Sequence, residues 1–173
     1  MSEPATPASG EAAPAGHPAR PRAKVLTVSD GVAAGTREDA GGAAVAELLA
    51  THGYEVVERR CIPDGDREVA AAVDVMSSAF AGLIVTTGGT GFGPRDQTPE
   101  GTRQILDREA PGLAEAMRLA NPLGRLSRGI AGTRQQSLIC NVPGSPKGAV
   151  ECLEAVLDVI PHALDLLAGG RPH

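Results

Sequence analysis

The stretch Leu83-Ile84-Val85-Thr86-Thr87-Gly88-Gly89-Thr90-Gly91-Phe92-Gly93-Pro94-Arg95-Asp96-Gln97-Thr98-Pro99-Glu100 decides the fold class of this chain. Leu83 to Thr86 is a short apolar run rich in β-branched residues, as in a strand covered on both faces. Four glycines follow within residues 88–93. Thr98-Pro99-Glu100 then supplies an N-cap hydroxyl, a proline at the first helical position and an early acid, which together start a helix. A buried strand, a glycine turn and a helix in that order form the repeating unit of an α/β sheet.

The alternation extends in both directions. Lys24 to Val28 predicts a strand, and Asp39 to Ala50 a helix with Val45, Leu48 and Leu49 at helical spacing. Gly53 closes that helix, and Tyr54 to Cys61 is strand-like. Pro63-Asp64-Gly65-Asp66 is a turn into a helix from about Arg67 to Ala79. Further on, Gly112 to Leu119 predicts a helix, and Ser127 to Asn141 two strand pieces split near Gly132. Lys147 to Leu167 predicts a helix broken at Pro161, and no internal repeat occurs. Strands and helices of these lengths predict a mainly parallel sheet, whose ligands sit beyond the carboxyl ends of its strands. The loops after Val28, Cys61, Thr86 and Cys140 are therefore where a site is expected.

Residues 1–22 stand apart, with five of the fourteen prolines and no Val, Ile or Leu. Too little apolar surface is present to offset ordering, which predicts a disordered Ala/Pro/Gly-rich tail ahead of one domain at 23–170. The tail lacks the basic start and apolar stretch of a secretory signal. A length of 173 residues suits a single domain, and no apolar run is long enough to cross a bilayer. The net charge of −5, with no Lys/Arg block, argues against nucleic-acid and membrane-surface binding. Tyr54, Phe80 and Phe92 are the whole aromatic content, which leaves no base-stacking platform. Cys61, Cys140 and Cys152 are odd in number and far apart, and read as buried small hydrophobes. His17, His52, His162 and His173 lack metal-ligand spacing. Together these predict a reduced, cytoplasmic protein without structural zinc.

Chemistry concentrates in three places. Glycines 88–93 after a buried strand let backbone approach a ligand closely and turn N–H groups toward it, the physics of a phosphate nest. Thr86, Thr87 and Thr90 add hydroxyls; the competing reading is a flexible surface loop. Neither a Walker A loop nor GxGxxG is present. The second place is Asn141-Val142-Pro143-Gly144-Ser145-Pro146-Lys147-Gly148, which opens a long helix whose N-terminus favours anions. Lys147 there is either a charge for a ligand or a solvated residue, and Asn141 either a base-edge or ribose contact or a turn cap. The third is a pair of acids, Asp64 and Asp96, each after a predicted strand. They suit Mg²⁺ bridging phosphates, or else serve as turn and cap residues. Ser29-Asp30 lies at the same sheet edge. No GxSxG elbow and no activated cysteine is present.

TTGGTGFGPRDQTPE, EAPGLAEAM, PLGRLSRGIAG and NVPGSPKGAVECLEAVL, spread in order over Lys24 to Leu167, closely resemble the molybdopterin-binding Mog/MoaB family. That family includes the G domains of gephyrin and of its plant counterpart. The resemblance implies a three-layer α/β sandwich with a mostly parallel central sheet flanked by helices. It implies a Mg²⁺-dependent molybdopterin adenylyltransferase that joins ATP to the terminal phosphate of molybdopterin and releases pyrophosphate. It further implies a homotrimer handing product to a molybdenum-inserting, MoeA-type enzyme. In this sequence the phosphate loop falls on Thr87, Gly88, Gly89, Thr90 and Gly91, and the catalytic, metal-holding acids on Asp64 and Asp96. The nucleotide side falls on Ser29, Asp30, Asn141, Pro143, Gly144 and Ser145. An arginine plane such as Arg128 would cover a flat ring, as aromatics are so few.

Two positions depart from the family pattern. Gly31 stands where Ser-Asp-Arg is common after the first strand, which removes a phosphate contact. Gly41-Gly42 stands where Ser-Gly is common, which removes a helix cap. The same fold also occurs as a non-catalytic molybdopterin-binding or carrier module; retention of Asp64 and Asp96 favours the enzyme.

Overall fold

The computed structural model describes residues 20–170. The expected tail falls outside the described residues except at its end, where Arg22 already begins the first strand. Strands β1 (Arg22–Val28), β2 (Glu55–Ile62), β3 (Gly82–Thr87), β4 (Arg108–Glu109), β5 (Ala131–Arg134) and β6 (Ser137–Val142) form one sheet in the order β2-β1-β3-β6-β5-β4. The pairs β1–β2, β1–β3 and β3–β6 are parallel, and the short edge pairs β5–β6 and β4–β5 antiparallel. Between and after the strands lie α1 (Asp30–Ala33), α2 (Ala40–Thr51), α3 (Asp66–Ser77), α4 (Thr98–Ile105), α5 (Pro111–Leu119), α6 (Pro146–Leu157) and α7 (Ile160–Leu167). A 3₁₀ turn covers Pro122–Leu126.

The sheet is covered on both faces because its strands alternate two apolar sets. Val25, Leu83, Val85, Leu138, Cys140 and Val142 pack with Val45 and Leu49 of α2, Met117 of α5, Leu153 and Val156 of α6 and Ile160 of α7. Leu26, Val28, Ile84 and Ile139 pack on the other face with Val69, Val73 and Met76 of α3. Every residue of β3 and of β6 is buried, as the continuous apolar runs demand. This is the three-layer α/β sandwich with a mostly parallel sheet. Cys140 and Cys152 are buried, while Cys61 on the edge strand β2 is partly exposed.

Several local expectations are corrected. The strand pieces split at Gln135 and Gln136 rather than near Gly132, with Gln135 taking φ 53°, and Ser127 to Ile130 is not strand. The last helix breaks at Asp158-Val159; Pro161 sits in the first turn of α7, where its missing N–H has no role to lose. Thr98 does not cap α4 but lies inside its first turn, fully buried. Strand β4, helix α1 and the 3₁₀ turn, each at most five residues, left no periodic signal to find.

Candidate functional site

Strand order reverses between β1 and β3, since β2 lies on one side of β1 and β3 on the other. Sheets of this kind open a crevice there, beyond the carboxyl ends of the strands. A cleft of about 1090 Å³ occupies that position, lined by Ser29, Asp64, Thr87 to Gly91, Asp96 and Pro143 to Gly148 among others. Small-molecule sites commonly fall in the range of about 300–1,000 Å³, so this one stands at the upper end of that range.

The glycine loop forms one wall. Gly88 has φ +101°, and a Cβ there would stand 2.2 Å from the Val28 carbonyl oxygen, so only glycine lets β3 turn against the end of β1. Gly89 follows at φ +63°. The Gly88 N–H donates to the Val142 oxygen at 3.1 Å. Among the described residues, the N–H groups of Gly89, Thr90 and Gly91 have no acceptor, which leaves them open to an anion, the arrangement a nest requires. Arg128 braces this loop: its N–H donates to the Thr90 oxygen at 2.9 Å and its Nε to the Gly91 oxygen at 2.8 Å. Its remaining nitrogens reach Glu100 and the Asp96 carbonyl. Arg128 therefore holds the glycine loop in shape, and it is not among the residues that line the cleft. The Thr87 hydroxyl donates to the Pro143 oxygen at 2.8 Å and ties this loop to the next.

The acids sit beside the nest. Asp64 Oδ2 accepts from the Asp30 N–H at 2.8 Å, and the Asp64 N–H donates to Asp30 Oδ1 at 3.0 Å. Asp30 also accepts from Arg95 Nε at 3.0 Å and Nη2 at 2.9 Å, while Nη2 donates to the Asp64 carbonyl at 2.6 Å. Asp30 is thus paired with Arg95 and does not line the cleft, unlike its neighbour Ser29. Burial pushes the Asp64 carboxyl above the ordinary carboxylate range, and the charges of Asp30 and Asp96 push the same way, against the Asp30 N–H and Arg95. Asp96 Oδ2 accepts from the Gly93 N–H at 2.8 Å.

The third wall is the loop into α6. Pro143 and Gly144 line the cleft, and Ser145 caps α6 by accepting from the Gly148 N–H at 3.3 Å. Asn141 does not reach the cleft. It is 2% exposed, its Nδ2 donates to Thr86 Oγ1 at 2.8 Å and Thr102 Oγ1 at 3.1 Å, and its Oδ1 accepts from the Ile130 N–H at 3.2 Å. Neither Asp30 nor Asn141, both expected on the nucleotide side, lines the cleft: Asn141 is buried among its partners, while Asp30 is half exposed and turned to Arg95.

The profile of a probable molybdopterin binding domain matches residues 24–162. The chain belongs to this molybdopterin-binding family. It is 38% identical over 156 residues to the molybdopterin adenylyltransferase of Helicobacter pylori (strain J99 / ATCC 700824), covering 84% of this chain and 86% of the relative. It is 36% identical over 157 residues to gephyrin of Dictyostelium discoideum, covering 83% of this chain but 22% of that much longer protein. The crystal structure of the molybdopterin biosynthesis enzyme MoaB from Thermus thermophilus superposes with a TM-score of 0.81 at 48% identity, over 86% of this chain and 97% of that one.

Within this molybdopterin-binding fold the two departures take on different meanings. The cap of α2 is not missing, because Asp39 supplies it, accepting from the Gly42 N–H at 2.9 Å and from the Thr27 hydroxyl at 2.8 Å. The two glycines instead make space. A Cβ on Gly41 would lie 2.7 Å from the Gly144 oxygen, and one on Gly42 2.3 Å from Thr27 Oγ1. Gly31 does lack a side chain toward the cleft mouth, but Arg37 lies over it.

A divalent cation fits the acids present. Among the described residues no group of three or more His, Cys, Asp or Glu side chains could cage a metal. A hard cation held jointly by one or two carboxylates and by ligand phosphates needs only the pair Asp64 and Asp96. The Thr98 hydroxyl is buried without a partner, and it lies 2.3 Å from the point a Gly89 Cβ would occupy. Asp64 Oδ1 lies 3.2 Å from that same point. The Thr98 hydroxyl thus packs beneath the glycine loop, on the side where Asp64 approaches it. Thr98 was legible in sequence only as a helix start; Arg37, in a polar loop, had no signal at all.

Proposed function

We propose that this chain is a molybdopterin adenylyltransferase of molybdenum cofactor biosynthesis. The observation that carries this reading is one cleft holding an anion nest, Gly89 to Gly91, between two carboxylates and a helix N-terminus. Such a cleft takes two phosphorylated ligands end to end. The molybdopterin phosphate sits on the nest, and ATP lies along Ser29, Pro143, Gly144 and Ser145. An oxygen of the molybdopterin phosphate, already ionised at neutral pH, attacks the α-phosphorus of ATP. The new P–O bond forms as the bond to the bridging oxygen of the β-phosphate breaks, and pyrophosphate leaves with that electron pair. No general base is required. What this chain contributes is placement of two anions in line and donors aimed at the charge. Mg²⁺, held by Asp64 and Asp96, supplies neutralisation of the phosphate charge when bound. Relatives named for the same activity at 36–38% identity support the assignment.

Purified full chain with Mg²⁺, ATP and molybdopterin tests it, with adenylylated molybdopterin followed by mass. The expected result is product in wild type and a rate lower by on the order of 10²-fold in Asp64→Ala and Asp96→Ala, as for loss of one preorganised charge-stabilising group. Binding of molybdopterin without product overturns the enzyme and leaves a carrier module. A homotrimer, a cytoplasmic location and hand-over to a molybdenum-inserting enzyme of the MoeA type belong to the same proposal. Among the described residues no helix is long and apolar enough to cross a membrane.

A further inference from the structure

The cleft is acidic for a site that takes anions. Glu38, Asp39, Asp64, Asp96 and Glu151 line it, against the cations Arg37 and Lys147. Lys147 stands 3.8 Å from Glu151, and Asp39 is held by Arg59 at 3.0 Å. Arg37 has neither an ion pair nor a side-chain hydrogen bond among the described residues. Its backbone is nevertheless well fixed. The Gly31 oxygen accepts from the Thr36 N–H at 2.9 Å, the Arg37 N–H at 3.1 Å and the Thr36 hydroxyl at 3.0 Å, folding the loop back onto Gly31. The Arg37 side chain then fills the space above that glycine, with Cβ at 3.5 Å and Nε at 3.7 Å from where a Gly31 Cβ would stand.

The position of this loop decides which anion it serves. At one end, the Asp30 N–H at the start of α1 donates to Asp64. At the other, Gly41 in α2 packs against the Gly144 oxygen. Arg37 lines the cleft from the segment that joins α1 to α2, whereas the nest amides belong to the loop after β3. With Lys147 beside Glu151, Arg37 is the cleft cation left without a carboxylate among the described residues, and the outer phosphates are the most highly charged part of a nucleoside triphosphate.

We infer that Arg37 is a substrate-positioning residue that clamps the outer phosphates of the nucleotide, the group that leaves as pyrophosphate. The inference rests on the adenylyl-transfer reading and deepens it. A guanidinium offers paired N–H donors that match phosphate oxygens, and it stays charged at any working pH.

Isothermal titration of the full chain with α,β-methylene-ATP, inorganic pyrophosphate and AMP tests it. In Arg37→Ala, affinity for the first two falls by about tenfold, as for loss of one charge-assisted hydrogen-bonded pair, while affinity for AMP is unchanged. Gly31→Arg placed in the Arg37→Ala background restores part of the loss, because a Cβ at Gly31 meets its neighbours only at ordinary contact distance. Unchanged affinity for the triphosphate analogue in Arg37→Ala, beside a wild type that binds it, overturns the clamp and leaves the adenylyl-transfer reading intact. An equal loss for AMP overturns the phosphate assignment, since the residue would then shape the pocket as a whole. A wild type that binds no triphosphate analogue overturns the nucleotide reading itself.

Discussion

Asp107 shows what one side chain adds away from the cleft. It accepts from the Gln135 N–H at 2.6 Å and from Arg134 Nη1 at 3.0 Å, across the turn where Gln135 holds a positive φ. The Gln135 N–H, and then the Arg134 guanidinium, hold its carboxyl below the ordinary carboxylate range. A carboxyl depressed on folding contributes stability above its unfolded value, near 3.9, and that contribution is lost as pH falls through the lower folded value. Asp107→Ala should therefore lower the Tm in neutral buffer, and the gap to wild type should close in acid. Thermal unfolding at the two pH values reads both halves of the prediction. A gap that persists in acid would mean that Asp107 acts through shape rather than charge. The cysteines have no comparable part: burial pushes the Cys140 thiol up to about 12, leaving it inert.

At the scale of elements, Asn141 is the joint between strand and site. Its backbone is in register with Thr86 on the neighbouring parallel strand, and its side chain ties β6 to β3, to α4 through Thr102 and to the chain entering β5 through Ile130. Removing it leaves a buried N–H and two hydroxyls short of a partner. Each such group costs about 1–3 kcal/mol, and part of that is recovered by relaxation. Asn141→Ala is expected to destabilise the fold by about 2–3 kcal/mol, read from urea unfolding midpoints at unchanged slope. The folded fraction should keep its nucleotide affinity; a selective loss of affinity with normal stability would return Asn141 to the binding surface. The cap of α2 teaches the same lesson. The residue before an apolar-periodic run was legible as the helix start at Asp39, yet only the packing of α2 against Gly144 explains why glycines follow it.

For the whole molecule, the proposed trimer is the outstanding question. Leu119 and Leu123, 73% and 74% exposed, meet solvent where α5 runs into the 3₁₀ turn. Light scattering coupled to sizing should return three times the chain mass of 17.6 kDa, and a monodisperse monomer would refute the assembly. What the sequence determined alone was the layered α/β class, the position of the glycine loop and the two acids. Those signals are local, being strand periodicity, glycine spacing and turn chemistry, and they hold whatever the rest of the chain does. The resemblance in motifs added the family. Tertiary structure decided the rest. Asp30 and Asn141 carry donors and acceptors as good as those of Asp64, and nothing along the chain shows that Arg95 and Ile130 come to meet them. Thr98 gains importance only through Gly89 and Asp64, and Arg37 only through the cleft that the fold closes beside it. A polar side chain's role depends on which of its partners are already present when the ligand arrives. Folding alone settles that, because hydrogen bonds are short-ranged and the groups that satisfy them come from anywhere in the chain.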